Sequence, residues 1–177
     1  MAADYELITK TGPLDNSTNT ISFSSISQSY EHLELIMFHR HNAVSSGTFA
    51  TGRCLINGQS GSNLYITEMT HTVEGSHASE GWYNASSAAM KYWIEDDSSS
   101  SDNLFNTTHI LFPFYKRTVF HHNMMGHTGS AAAADYSMIN QFANKILQTS
   151  AITSLDFYCD SGNFVVGSTF WLYGIKG

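Results

Sequence analysis

Two segments near the C-terminus, Leu155-Asp156-Phe157-Tyr158-Cys159-Asp160 and Thr169-Phe170-Trp171-Leu172-Tyr173-Gly174-Ile175, decide how this chain folds. Within Ile152–Cys159, Leu155, Phe157 and Cys159 alternate with Asp156, Tyr158 and Asp160, the period-two pattern of a strand with one face in a core. Across the connection 160–168, the second segment reads as its antiparallel partner. There Phe170 and Leu172 point one way while Trp171, Tyr173 and Ile175 point the other, so both faces are apolar. Such a strand needs cover twice, once from its own core and once from another layer or another subunit.

The same period recurs upstream. Leu33, Leu35 and Met37 alternate with Glu34, Ile36, Phe38 and Arg40, which predicts a central strand over 33–41. Further strands are predicted at 5–9, 21–26, 49–56, 64–69, 89–95 and 109–115, where Pro113 lacks a ladder donor and favours an edge or a bulge. The turn Asn57-Gly58-Gln59-Ser60-Gly61 joins two of these into a hairpin, or at least within one layer. Segments 74–87 and 96–102 read as polar loops, the first with Trp82 and Tyr83 at its tip. Residues 121–129 read as an irregular histidine-rich loop. In 130–148, Met138, Phe142 and Ile146 form a stripe at helical spacing with Asp135 as N-cap, so local pattern predicts a helix over 136–147. About eight short strands with at most one short helix point to an all-β, antiparallel β-sandwich of jelly-roll type, with a closed barrel as the structural alternative.

Composition agrees with that class. The 177 residues fit a single domain spanning 1–177, and the 13% charged share is low for a helical surface. Eight basic against fifteen acidic residues, net −7, make nucleic acid a poor partner. No run of eighteen apolar residues and no basic-apolar leader occurs, so neither a membrane span nor a signal peptide is expected. Cys54 and Cys159 are too few for a disulfide framework and read as core residues. Three Asn-x-Ser/Thr matches carry no weight in so Ser/Thr/Asn-rich a chain.

Chemistry is sparsely written. His39-Arg40-His41 places two imidazoles on one strand face, which copies around a threefold axis could turn into a metal site; hydrogen-bonded rim histidines are the simpler reading. His121, His122 and His127 could gather on one loop, but no Cys or acidic ligand stands beside them. There is no G-x-S-x-G, no singled-out carboxylate pair and no phosphate loop, so no catalytic residue is assigned and no cofactor is expected. Trp82 and Tyr83 suit a subunit interface, and less well a sugar platform.

Tyr5-Glu6-Leu7-Ile8, Ile21–Ile26, Tyr30–Leu35, Ile56–Tyr65 and above all 151–175 resemble, in order, a family of small virion proteins of tailed phages of the cyanophage type. That family is similar to jelly-roll cement or decoration proteins, and the resemblance implies a strand, not a helix, at 136–147. It implies a non-enzymatic chain made in the host cytoplasm and carried on the capsid surface of the virion. Its partners would be the major capsid protein and itself, as a homotrimer that stabilises the DNA-filled head. Trp171, Tyr173 and Ile175, with Trp82 and Tyr83, are then the subunit or capsid contacts. A glycan-binding receptor module of a tail or head fibre is the alternative function. Gln59, where the family usually carries an acidic residue, and the histidine-rich segment 121–127 depart from the family pattern.

Overall fold

The computed structural model describes residues 4–42, 50–61, 65–73, 76–78, 89–94, 105–131, 137–160 and 162–177. Every regular element among them is a strand: β1 (Tyr5–Thr11), β2 (Thr20–Phe23), β3 (His32–His39), β4 (Ala50–Ile56), β5 (Tyr65–Val73), β6 (Ser76–Ala78), β7 (Met90–Ile94), β8 (Asn106–Phe112), β9 (His122–Ala131), β10 (Ser137–Ile146), β11 (Leu155–Cys159) and β12 (Thr169–Ile175). They form two antiparallel sheets, a large one ordered β1-β12-β3-β8-β9-β10-β5-β6 and a small one ordered β2-β11-β4-β7. The fold is a β-sandwich of jelly-roll type.

Its pairing is nested. β1 pairs with β12, β2 with β11, β3 with β8 and β4 with β7, while successive strands β1 to β4 alternate between the two sheets. Two insertions, β5–β6 and β9–β10, widen the large sheet beyond β8. The nesting overturns two hairpin expectations. β11 and β12 lie in opposite sheets, and β4 and β5 likewise separate into different layers. In each case the strand is real but its sequence neighbour is not its ladder partner.

The alternation read in the sequence sets which side chains meet between the layers. Leu33, Leu35 and Met37 of β3, Ile110 and Phe112 of β8, and Phe170 and Leu172 of β12 face Ile21, Phe23, Cys54, Ile56, Leu155 and Phe157 of the small sheet, all buried in one cluster. Each fully buried side chain of this size contributes about 1.5–3 kcal/mol, so this cluster dominates the stability of the sandwich. Gly174 is required in β12 because the Tyr30 ring lies flat over it, where any Cβ would collide. Gly126 of β9 does the same for Phe142, whose Cζ would sit 2.7 Å from an added Cβ.

Segments 121–129 and 136–147 depart from the local readings. The first is not an irregular loop but most of β9, and the second is not a helix but β10, paired along its whole length with both β9 and β5. Pro113 neither bulges a strand nor marks an edge: β8 stops at Phe112 and lies between β3 and β9. Within 74–87, Ser76–Ala78 is a short strand on β5. The 96–102 reading lies outside the described residues.

Candidate functional site

The outer face of the large sheet is built by side chains that point away from the core. Register aligns Leu7, Tyr173, Glu34, Leu111, Met125 and Ala143 across β1, β12, β3, β8, β9 and β10. The next row is Lys10, Trp171, Ile36, His109, His127 and Gln141. Alternation forces this face outward, yet it is largely apolar: Tyr5, Leu7, Phe38, Met125 and Ile139 are all exposed, Ile139 to 60%. An apolar sheet face left in solvent marks a surface that meets protein, membrane or ligand.

Trp171, Tyr173 and Ile175 lie on this face and are half-buried within the chain's own sheet. Tyr5 stacks on Tyr173 with centroids 4.5 Å apart, and the Lys10 ammonium stands 5.7 Å from the centre of the Trp171 ring. Edge strand β1 therefore covers part of what the sequence leaves apolar on β12, while its own Tyr5 and Leu7 stay exposed, as do Phe38 of β3, Met125 of β9 and Ile139 of β10. Trp82 and Tyr83 lie outside the described residues. Met125, Ile139 and Phe38 were not singled out by the sequence reading; recognising β9 and β10 as strands would have put the first two on the outer face.

A polar seam crosses the face. Glu34 is bonded by the Nε2 of His109 and by the Tyr5 hydroxyl; partial burial, then this bond, raises the Tyr5 phenol well above its ordinary pKa. His127 faces His109 with ring centroids 5.2 Å apart. Beside this seam the sheet is hollowed into an open recess of about 550 Å³ lined by Leu111, Met125, Ala143, His109, His127 and Gln141.

His39 and His41 are not on a rim. Both are buried at one end of the interior, their rings 6.3 Å apart. His39 Nε2 lies 2.8 Å from Thr108 Oγ1, which in turn is 2.9 Å from Thr128 Oγ1. Burial pushes the His39 imidazole down to about 3 and His41 to about 4, so both are neutral at pH 7. Among the described residues no three His, Cys, Asp or Glu side chains are grouped to hold a metal ion. His41 Nε2 is 2.7 Å from Cys159 Sγ, and both residues are buried. His121, His122 and His127 do not gather either: His122 is buried and its Nε2 meets the Ser150 carbonyl at 2.9 Å, whereas His127 is exposed on the opposite face of β9.

No family model matches the chain, and no curated protein does. Two solved structures give faint likenesses. The binding domain of botulinum neurotoxin DC in complex with SialylT aligns at 11% identity and TM-score 0.30, over 96% of this chain and 42% of that one. The alginate lyase vAL-1 from Chlorella virus aligns at 10% identity and TM-score 0.18, over 90% of this chain and 91% of that one. At these scores neither likeness bears on function.

Proposed function

We propose that the chain is a non-enzymatic structural protein of a phage virion, a capsid decoration protein that binds the major capsid protein as a homotrimer and stabilises the filled head. The observation that carries the reading is the apolar outer face of the large sheet, with Tyr5, Leu7, Phe38, Met125 and Ile139 exposed on one surface. The jelly-roll architecture supports it, because that is the fold the resemblance implies for such proteins. Function is then adhesion: every subunit contact made by this face must be broken before the shell opens, which raises the stability of the assembled state.

The test compares parent particles with and without the protein. A decoration protein raises the temperature of DNA release, and Leu7→Asp together with Ile139→Asp abolishes that rise while leaving the fold intact. An unchanged release temperature together with specific binding on a glycan array would replace this reading with the receptor-binding one.

A further inference from the structure

Register sets His109 of β8 directly opposite His127 of β9 on the outer face of the large sheet. Side chains opposed in this way start from Cβ atoms about 4.5–5.5 Å apart, and here the two imidazoles stand with 5.2 Å between their centroids. A shared ion asks for the same spacing. With metal–nitrogen bonds of about 2.0–2.1 Å, two imidazoles on one tetrahedral ion have their ring centres roughly 5 Å apart.

The chemistry of the pair is prepared as well. The Glu34 carboxylate accepts from His109 Nε2 and from the Tyr5 hydroxyl, so in the neutral ring Nε2 carries the proton and Nδ1 keeps its lone pair. A carboxylate on the far nitrogen fixes the tautomer and the ring of a metal-binding histidine and raises its basicity. His127 is exposed, and among the described residues no hydrogen bond engages its ring. Ile36 and Gln141 flank the pair along its row, so no cation adjoins it there. Both rings line the open recess of about 550 Å³, which leaves room for the remaining ligands of an ion.

We infer that His109 and His127 chelate one divalent ion of the zinc, nickel or copper(II) class, completed by water, with Glu34 orienting His109 through Nε2. Imidazole nitrogens suit these ions, whereas magnesium and calcium call for oxygen ligands. With two protein ligands the ion is exchangeable, unlike the four-ligand centres that hold a fold together.

Calorimetric titration of the full, tag-free chain with zinc chloride tests this, with paramagnetic resonance of the copper(II) complex counting nitrogen donors. The native chain is expected to take up zinc undiminished by millimolar magnesium, and its copper(II) spectrum to show two nitrogen donors. His127→Ala and His109→Gln are each expected to weaken zinc roughly tenfold or more and to remove a nitrogen donor. Glu34→Gln is expected to weaken zinc about 10–100-fold with both nitrogens retained, the mark of a positioning residue. His121→Ala, at an exposed histidine outside the pair, should change neither reading, and matched melting temperatures confirm that all four variants fold. No zinc uptake by the native chain overturns the site. Uptake that either histidine substitution leaves unchanged overturns the chelate, and so does uptake that magnesium displaces, which would put the ion on carboxylates. Unchanged affinity in Glu34→Gln overturns the role of Glu34.

Discussion

The ring of Tyr5 lies 4.5 Å from that of Tyr173 with 22° between their planes, which fastens the edge strand β1 to β12 on the outer face of the large sheet. Stacked pairs of this kind contribute about 0.5–1.5 kcal/mol beyond the area they bury. Tyr5→Ala is therefore expected to lower the thermal midpoint by several degrees and to speed hydrogen exchange along β1. Tyr5→Phe keeps the stack and loses only the bond to Glu34, so its midpoint should fall between those of the native chain and the alanine variant.

Acid should destabilise the sandwich through its interior histidines. His39 and His41 are held neutral by burial in the folded state, to about 3 and about 4, whereas the unfolded chain takes up those protons below about pH 6.5. Stability is then full above pH 6.5 and falls as pH drops toward 4, with a slope of up to about 1.4 kcal/mol per pH unit for each histidine. Burial lowers His122 in the same direction. Urea midpoints measured from pH 7 to pH 4 should drop steeply, and His39→Gln should flatten the curve; an unchanged slope in that variant would assign the acid sensitivity elsewhere.

Asn57 ties the turn after β4 to the chain entering β11. Its Oδ1 accepts from Thr153 N at 2.8 Å, Ser154 N at 3.1 Å and Thr153 Oγ1 at 3.1 Å, and its Nδ2 donates to the Ala151 carbonyl at 2.9 Å. The residue also holds φ 53°. Asn57→Gly relieves the backbone and loses the bonds, and Asn57→Ala suffers both, so losses of about 1–3 kcal/mol are expected with alanine the worse. Equilibrium unfolding of the two variants measures the difference.

Gly174→Ala drives a methyl group into the Tyr30 ring. Overpacking of this kind costs about 1–3 kcal/mol, and the displaced ring should also weaken the β1–β12 edge. Pairing the substitution with Tyr30→Ala, which opens the space, should make the two losses less than additive in a double-mutant cycle.

How far the sequence discloses this molecule depends on which way polar residues point. β3 and β11 are legible because their inward positions are all apolar, apart from a terminal histidine. β10 misleads because Asn140 and Asn144 are buried and point inward, so the apolar remainder, Met138, Phe142 and Ile146, recurs every four residues and imitates a helix. β9 hides for a related reason: its inward row is His122, Met124, Gly126 and Thr128, with glycine there because a Cβ would strike the His109 carbonyl and the Phe142 ring. The apolar outer row of β12 is visible in the sequence as a face needing cover. Its continuation onto Met125 and Ile139 is not, since it depends on two strands whose period is masked. The separation of β11 from β12 could not be read locally, because nested pairing links residues more than a hundred positions apart.

Because Tyr5 stands opposite Ile175, a pull applied to the two outermost strands parts their ladder one rung after another, the mode in which a β-sheet yields most readily. A load entering through the broad face of the same sheet is spread over many rungs at once. Single-molecule pulling from the strand ends should therefore find the weak direction of this sheet, and a load across its flat side the strong one.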